Sequence, residues 1–523
     1  MHKLLVALLV VLSLSVHGAE SPRLVVVITV DGLPQEQVLK YRDQLTPGGF
    51  QRLLRHGAWF ANAHHGHATT FTAVGHAAIL TGAYPYRHGV VGNEWWDRTA
   101  QQRMYCCADP ASQLLDEPTK PNAGTSPRNL QVTTVSDELR INTGMEAKVL
   151  SISLKDRGAI FTAGKTGQAY WFSKDTGRFI TSSYYTNSYP AWWQAFYAGK
   201  PQDKWRAQSW TNLLPAAAYW RSAKDGCHVH EPGDSSGFDA LRWSPLGDEY
   251  TLEFTLAALK GENLGKNPRG VPDLLALGLS CHDYINHRYG PTSTQSQDAV
   301  LRLDRTLETL FNALDQSVGL DHVLIALTAD HGFANSPEFC RDVLRMETGR
   351  VDPVKLRADL NTALREKFGP GEYAVAWHNP TLTLAPAAQR PEVEQAAAQF
   401  LESQPGIHTV FTRTQLVNGQ VPPTRFGLLA ARSWHRQLSG DLFVIQQPGW
   451  YLFNTPDEHC VTHGSPWTYD THVPVMLMGR AWIKPGQRNE TIEVVDLAPT
   501  LATVLQLRQP SGAEGRVLHE ILP

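Results

Sequence analysis

The sequence lacks several features that would assign it at once to a large class of proteins. It has no marked excess of charge of one sign, since 47 lysines and arginines face 50 aspartates and glutamates in 523 residues. Nucleic-acid-binding proteins usually present a basic face, so we expect no nucleic-acid partner. An anionic substrate would have to be held by a local positive site. The chain also has no internal repeat and no low-complexity tract, which excludes a repeat architecture.

Cysteine is scarce, and none of the six cysteines forms a CxxC pair. The absence of such pairs argues against a zinc site made of cysteines alone. If the protein is exported, disulfides are permitted. Six cysteines allow fifteen pairings, and the sequence does not choose among them.

Long apolar runs are absent except at the N-terminus. Residues 1–22 combine a positive charge at Lys3, an apolar run and a small-residue end, which is typical of a secretory signal peptide. Val16 and Gly18 fit the cleavage rule, so we predict a signal peptide over 1–18, with cleavage after Ala19 as the alternative. A retained anchor is also an alternative, but the run is short for a membrane span. We therefore expect an exported protein without a stable membrane anchor.

Four short apolar runs predict fully buried strands. They are LVVVITV (24–30), KVLSISL (148–154), DLLALGLS (273–280) and HVLIALTA (322–329). Helical patterns separate them, the clearest over 297–316, where apolar residues recur at three- and four-residue spacing. Buried strands alternating with helices predict an α/β fold with a mostly parallel central sheet covered by helices on both faces.

Two stretches differ in composition from the predicted core. Residues 98–146 are polar and rich in turn formers, and residues 185–270 are rich in Trp, Tyr, Gly and Pro. We predict that 185–270 is an inserted cap subdomain and that 22–184 and 271–523 form the catalytic core. Two interpretations of the aromatic residues stay open: they cover a substrate as a lid, or they only pack the subdomain.

Charged residues follow the predicted strands at their carboxyl ends. Asp31, Lys155 and Asp330 come directly after a strand, and Asp283 follows three residues after another. Ligands of open α/β sheets bind outside the carboxyl ends of the strands. Any one of these aspartates alone could be a turn or helix-capping residue. Three together, two of them with a histidine one or four residues further on, favour a ligand site.

These aspartates and nearby histidines are the candidate metal ligands. Asp283 and His287 are four residues apart, so a helix would place them on one face. Carboxylate and imidazole suit zinc or, less selectively, manganese or iron. Six candidates fit two sites of three residues each, and such a metal pair clamps the attacking and leaving oxygens of a phosphoryl group. His472 competes weakly with His463. The six candidates are Asp31, Asp283, His287, Asp330, His331 and His463.

Thr72 is the candidate nucleophile. It precedes a short helical pattern, AVGHAAIL, so its hydroxyl is expected near a helix N-terminus, where the dipole and the free amides favour an anion. A neighbouring zinc ion would lower the pKa of the hydroxyl further. Taken alone, Thr72 would be interpreted as a helix N-cap. Thr69 and Thr70 are nearby competitors.

Lys155, Arg157 and Asn93 are the candidate anion-binding residues. Arginine matches phosphate oxygens in a bidentate way, lysine acts as a point charge, and the asparagine amide can donate. A surface ion pair within Lys155-Asp156-Arg157 is the alternative. The position of these residues directly after a buried strand favours the anion clamp.

The motifs, taken in order, resemble the alkaline phosphatase superfamily. The similarity is greatest to the phosphate-irrepressible alkaline phosphatases of the bacterial periplasm, which use threonine and are relatives of the nucleotide pyrophosphatase/phosphodiesterase family. It extends from about Leu24 to the C-terminus. The motifs are VDG at 30–32, TxxxH at 72–76, LTGAYPxxHGxxGN ending at Asn93, LKDRGA at 154–159, DYxxH at 283–287, TADHG at 328–332 and THG at 462–464.

The resemblance implies an alkaline-phosphatase-like fold, two zinc ions per chain and a phosphothreonine intermediate hydrolysed by a zinc-bound hydroxide. It implies no role for His64, His65 and His67, which we expect at the surface or in structural positions. The implied assignments are one zinc held by Asp31, Asp330, His331 and Thr72, the other held by Asp283, His287 and His463, and phosphoryl oxygens contacted by Asn93, Lys155 and Arg157.

Within this superfamily, Lys155 and Arg157 favour cleavage of phosphate monoesters. A monoester carries one more negative charge than a diester, and the diesterase relatives usually lack this pair. We therefore predict an exported, zinc-dependent phosphomonoesterase of the bacterial periplasm that acts on small phosphate esters. A type I phosphodiesterase/nucleotide pyrophosphatase is the main alternative, and a catalytically silent metal- or phosphate-binding protein is a third. A sulfatase is disfavoured because no cysteine or serine stands in a CxPxR-type sequence. The oligomeric state stays open.

Overall fold

The computed structural model describes residues 21–220, 237–453 and 461–523. The predicted signal peptide, residues 1–18, lies outside the described residues and stays a prediction. Within the described ranges, no helix is both long enough and apolar enough to span a bilayer.

The secondary structure alternates between strands and helices along most of the chain. The strands are β1 (Leu24–Val30), β2 (Ala58–His64), β3 (Glu94–Asp97), β4 (Gln102–Tyr105), β5 (Val149–Ser153), β6 (Gln168–Phe172), β7 (Phe179–Ile180), β8 (Asp273–Leu279), β9 (Val323–Ala329), β10 (Ala374–His378), β11 (Thr381–Leu384), β12 (Ile407–Thr412), β13 (Leu442–Gln446), β14 (Val475–Met478) and β15 (Gly486–Glu493). The α-helices are α1 (Gln35–Lys40), α2 (Phe50–His56), α3 (Thr72–Thr81), α4 (Pro85–His88), α5 (Val135–Asn142), α6 (Asp156–Ala163), α7 (Ala191–Ala198), α8 (Pro201–Arg206), α9 (Leu246–Gly261), α10 (Cys281–Tyr289), α11 (Thr294–Ser317), α12 (Pro337–Asp342), α13 (Pro353–Phe368), α14 (Pro391–Glu402), α15 (Arg413–Val417), α16 (Arg425–Ser433), α17 (Thr468–Thr471) and α18 (Leu497–Val504).

A nine-stranded sheet lies at the centre, in the order β15-β2-β14-β9-β1-β8-β5-β6-β7. The four strands expected from the apolar runs are neighbours in it and run parallel, β9-β1-β8-β5. Every residue of these four strands is buried. Burying one branched aliphatic side chain stabilises the fold by about 1.5–3 kcal/mol, so continuous apolar strands belong at the middle of a covered sheet. The predicted α/β fold with a mostly parallel central sheet is confirmed.

Helix α11 shows how local sequence fixes an element of the core. Its buried positions include Val300, Leu303, Leu307 and Leu310, which recur every three or four residues and form one apolar face. The helix begins three residues before the expected start at 297, because the side chain of Ser293 accepts a hydrogen bond from the amide of Ser296 and caps the first turn.

The aromatic-rich stretch packs mainly on itself and on the central sheet. Phe179 and Phe254 stack with ring centroids 4.5 Å apart; Tyr250 contacts Phe179, and Tyr197 contacts Phe254. At the start of α9, the carboxylate of Asp248 accepts hydrogen bonds from the amides that begin α10, including that of Ser280 at 2.9 Å. This stretch therefore helps to position α10, the helix that follows β8.

A second, four-stranded antiparallel sheet has the order β10-β11-β13-β12. Together with α13 and α14 it encloses a hydrophobic core separate from that of the large sheet, with Leu360, Leu382, Val393 and Leu442 among its fully buried residues. No pattern in the sequence predicted this sheet. It lies beside the carboxyl end of the large sheet, since Asn379 and Gln446 line the same cavity as Thr72.

Candidate active site

Four charged side chains meet where the central strands end. Because β9, β1, β8 and β5 are adjacent and parallel, the residues that follow them share one edge of the sheet. The ammonium of Lys155 lies 2.8 Å from Asp31 Oδ2 and 2.5 Å from Asp283 Oδ2. Gly32, which follows Asp31, has a φ of 67°, and a Cβ there would lie 3.2 Å from Asp283. The tight turn after β1 thus needs glycine to bring the two aspartates together.

Asp283, His287 and His463 form one metal-capable group, the outer cluster. Asp283 and His287 lie one turn apart on α10, and the Nε2 atoms of His287 and His463 lie 3.4 Å and 3.5 Å from Asp283 Oδ1. The three potential ligand atoms lie within 4.8 Å of one another. His472 lies elsewhere, with its ring nitrogens 2.8 Å from Glu36 and 3.0 Å from a backbone carbonyl. The structure therefore groups His463, and not His472, with Asp283.

Asp31, Asp330 and His331 form the second cluster, the inner cluster, and all three are fully buried. His331 Nε2 lies 3.4 Å from Asp31 Oδ1 and 3.6 Å from Asp330 Oδ2. His76 joins this cluster, with Nε2 3.6 Å from Asp330 Oδ2. Two overlapping sets of three residues could each hold a metal ion here. One set is Asp31, Asp283 and His331, and the other is Asp31, His76 and Asp330. The sequence placed His76 in the TxxxH motif but gave it no role.

The three candidate histidine ligands are oriented in the same way. Each places Nδ1 against a backbone carbonyl, so that it donates there and leaves Nε2 for a metal, the usual arrangement of a metal-binding histidine. The Nδ1 contacts are His287 with Val461 O at 2.7 Å, His331 with Gly332 O at 2.9 Å and His463 with Thr70 O at 2.8 Å.

Unpaired polar atoms show that the clusters suit a cation. Among the described residues, Asp283 Oδ1, Asp330 Oδ2 and His331 Nε2 are buried without a hydrogen-bond partner. Leaving such atoms unpaired is costly, and a metal ion coordinated by them would remove that cost. Carboxylate and imidazole donors in this number fit divalent metal ions, zinc among them.

The charged groups of the two clusters lie so close together that they shift one another's pKa values. Burial would raise the pKa of Asp283, but the ammonium of Lys155 and the neighbouring imidazoles together outweigh burial and hold this pKa well below its usual range. Burial and the negative charge of Asp31 raise the pKa of Asp330 well above its usual range. Burial would lower the pKa of His331, but Asp330 and the neighbouring aspartates raise it to about 9. Three carboxylates this close require positive charge to be ionised together.

Thr72 is the first residue of α3, and it lines the cavity beside the outer cluster. Phe71 occupies the N-cap position and no side chain caps this helix, so Thr72 does not act as an N-cap. Its hydroxyl lies 3.4 Å from Lys155 Nζ. A Cβ at Gly75 would lie 2.1 Å from the carbonyl oxygen of Asp330, so glycine is needed for α3 to approach the end of β9 this closely. Thr70 donates its hydroxyl to the carbonyl of Ser465.

Asn93, Lys155 and Arg157 line the same cavity as Thr72. Asn93 Oδ1 accepts a hydrogen bond from the amide of Ala73 at 2.9 Å, which fixes the orientation of its side chain. Arg157 Nη1 lies 3.3 Å from the hydroxyl of Tyr105, which donates to Asp156 at 2.6 Å. The structure thus brings together all the residues that the sequence singled out as an anion clamp. The hairpin residue Tyr105 gave no signal in the sequence.

The cavity has a volume of about 330 Å³. Some of the residues that line it were not predicted from the sequence. Tyr284 presents its ring 4.9 Å from Lys155 Nζ, and its place within DYxxH was the only signal for it. Gln446 and Trp450, on and after β13, gave no signal. In the described part of 185–270, no residue lines this cavity.

His64, His65 and His67, to which the resemblance gave no role, occupy structural positions. His65 is buried and its Nε2 lies 3.0 Å from the carbonyl oxygen of Ala329, just before Asp330. His67 is also buried, 5.1 Å from the ring of His65. His64 stacks on His472 with ring centroids 4.8 Å apart.

Buried carboxylates and imidazoles, a hydroxyl at a helix N-terminus and a cationic clamp, all at one edge of a mostly parallel sheet, define a metal-dependent phosphoryl-transfer site. A family model described as type I phosphodiesterase / nucleotide pyrophosphatase matches residues 25–472. The chain belongs to this family, and the resemblance to the alkaline phosphatase superfamily is confirmed.

Individual relatives cover nearly the whole chain. Alkaline phosphatase PhoV of Synechococcus elongatus is 33% identical over 96% of this chain and 93% of its own length. A protein of Myroides odoratus named calcium-transporting ATPase is 33% identical over 96% of this chain and 95% of its own. The crystal structure of wild-type alkaline phosphatase PafA, at 31% identity, covers 96% of this chain and 99% of that chain with a TM-score of 0.89. The alkaline-phosphatase-like fold is thereby confirmed.

Proposed function

We propose that the protein is an exported phosphomonoesterase that holds two zinc ions and acts through a covalent phosphothreonine at Thr72. The observation that carries this proposal is the position of Lys155 and Arg157, which line one cavity with Thr72. A phosphate monoester is a dianion at alkaline pH, whereas a diester carries one charge and a second organic group. The buried Lys155 ammonium and the partly buried Arg157 guanidinium, which line the same cavity as the hydroxyl, match the first and leave less room for the second.

The two clusters divide the proposed metal ligands between them. Asp283, His287 and His463 would hold one ion. The other would be held by Asp31, Asp330 and His331, completed by Thr72. When bound, two such ions polarise the phosphoryl oxygens and supply hydroxide at moderate pH.

The residues around Thr72 suit it to act as the nucleophile. The hydroxyl lies at the first turn of α3, and the Lys155 ammonium 3.4 Å away favours its ionised form. Thr72 Oγ1 gives up its proton to solvent and forms a bond to phosphorus, and the ester oxygen leaves with its bonding electrons and takes up a proton. Water then replaces Thr72 Oγ1 on phosphorus, and inorganic phosphate leaves.

The anion clamp holds the phosphoryl group during both displacements. The Asn93 carbonyl oxygen is engaged by the amide of Ala73, so its NH₂ group can donate to a phosphoryl oxygen. Arg157, held beside Tyr105, can donate two parallel hydrogen bonds. These donors stay in place while the charge on the phosphoryl oxygens is redistributed and negative charge develops on the leaving ester oxygen, which is how fixed dipoles lower the barrier.

A pair of substrates with the same leaving group tests the proposal. We expect purified, zinc-supplemented protein to hydrolyse p-nitrophenyl phosphate with a larger kcat/KM than bis-p-nitrophenyl phosphate. A larger value for the diester would replace the monoesterase by a type I phosphodiesterase. Zinc content near one ion per chain without turnover of either substrate would instead indicate a silent binding protein.

A further inference from the structure

A second cavity, of about 750 Å³, adjoins the first. The two share a wall, which includes Asn93, and the second extends away from the metal clusters. Its volume lies in the range of small-molecule sites, about 300–1,000 Å³. An organic group attached to a phosphoryl group at Thr72 can therefore extend into this space. The residues that line both cavities are Phe71, Asn93, Asn379, Leu452 and Phe453.

The second cavity is lined largely by flat and apolar side chains. Trp377 and His378, at the end of β10, face it together with Phe71 and Phe453. Val354, on the first turn of α13, also lines it and is 71% exposed, although it is a large apolar residue. Such side chains gain by covering a flat apolar ligand, because stacking and burial both remove apolar surface from water.

Hydrogen bonds hold the main aromatic wall in one orientation. The indole nitrogen of Trp377 donates to Asn379 Oδ1 at 2.5 Å, and Asn379 Nδ2 donates to the carbonyl oxygen of Leu452 at 2.7 Å. Trp377 is thus tied through Asn379 to Leu452, which lines both cavities. A wall fixed in advance loses little conformational entropy on binding.

Among the described residues, the second cavity lacks the cations that line the first. Lys155 and Arg157 face the first, whereas the described lining of the second contains no lysine or arginine and two carboxylates, Glu94 and Asp352. Glu94 pairs with Arg103 at 2.9 Å, and Asp352 caps α13. These carboxylates can accept hydrogen bonds from hydroxyl or amino groups, but they disfavour a second anionic group.

We propose that the second cavity binds the leaving-group side of the substrate and favours monoesters whose alcohol carries a flat, uncharged ring. Nucleoside monophosphates and aryl phosphates share this chemistry. The inference rests on the proposed monoesterase function, because it assumes that the phosphoryl group is held at Thr72. Trp377 is the main specificity-determining residue, through stacking on the ring.

Adenosine 5′-monophosphate and ribose 5-phosphate test the inference, because the same primary alcohol leaves in both and only the first carries a flat ring. We expect kcat/KM for the ring-bearing ester to exceed that for ribose 5-phosphate by about tenfold, within the range that one stacked base provides. Trp377→Ala should bring the ratio towards one by raising KM for the ring-bearing ester, with ribose 5-phosphate changed less than about twofold on the same reasoning.

Two further variants keep the test decisive. Trp220→Ala removes an exposed tryptophan that does not line either cavity and should leave the ratio unchanged. Val354→Ser changes an exposed side chain that folding does not depend on, and it should lower the ratio by a smaller factor. Equal kcat/KM for the two esters in the unaltered protein, or equal losses for both in Trp377→Ala, would overturn the inference. Failure to cleave either ester would instead contradict the proposed monoesterase function.

Discussion

The nine-stranded sheet and the four-stranded sheet contribute to one site in different ways. The large sheet supplies most of the charged groups, at or shortly after the ends of its fully buried strands, as with Asp31 after β1 and Asp330 after β9. The small sheet supplies uncharged walls, such as Asn379 and Gln446, and it has a core of its own. The charged groups therefore depend on the buried central sheet, and the shape of the substrate space depends on a module with a core of its own.

This contrast predicts two kinds of mutational effect. Substitutions at the ends of the large sheet should affect every substrate, because all substrates share the phosphoryl group. Substitutions on the small sheet should affect substrates according to their organic group, as expected above for Trp377. A substitution on the large sheet that changed only the preference for leaving groups would break the comparison.

The largest effect is expected for Thr72→Ala. Removing the hydroxyl should abolish turnover of all phosphate esters, by several orders of magnitude as for other covalent nucleophiles, while zinc content stays close to that of the unaltered protein. Turnover rates and metal content of the same preparation measure this. Normal turnover would show that Thr72 is not the nucleophile.

A matched pair of histidine substitutions tests the outer cluster. His463→Ala should lose zinc and most activity, because the Nε2 of His463 faces Asp283 with its Nδ1 already engaged. His472→Ala, the control, should keep both, since His472 contacts Glu36 and a backbone carbonyl. The metal content of the two purified variants decides between them. Zinc loss in His472→Ala alone would reverse the assignment.

A smaller and more selective effect is expected when Lys155 and Arg157 are both replaced by alanine. Loss of the two cations should lower kcat/KM for p-nitrophenyl phosphate by about 10²–10³-fold, the usual cost of losing fixed charge stabilisation. The diester, with less charge, should lose much less. Assays of both substrates on the double variant measure this. Equal losses would mean that the pair positions the site and does not distinguish the charge of the substrate.

The central part of the fold and the candidate site could be predicted because their signals are local. Buried parallel strands are continuous apolar runs, and the residue after each run marks the sheet edge, so Asp31, Lys155 and Asp330 were found from position alone. Asp283 and His287 followed from helical spacing. These inferences needed no knowledge of which strands are neighbours.

The rest depended on contacts between distant segments. The four-stranded sheet is made of short strands, some with polar and half-exposed positions such as those of β10, which leave a weak periodic pattern. The location of Trp377 beside Phe71 follows from the docking of that sheet, which no local pattern encodes. Thr72 lies in the first turn of helix α3. This helix can approach the end of β9 because Gly75 has no side chain to clash with Asp330. The ion pairs of Lys155 with Asp31 and Asp283 likewise arise only when three strand ends meet.

The backbone carbonyls that orient the three histidine ligands have a consequence for how the gene can vary. Every amino acid carries the same main-chain oxygen, so no single codon change at positions 70, 332 or 461 can delete an acceptor. An orienting carboxylate side chain, by contrast, could be lost in one mutational step. The ring orientations of His287, His331 and His463 therefore depend on the path of the backbone. A mutation can disturb them only by moving the loops that carry the three carbonyls.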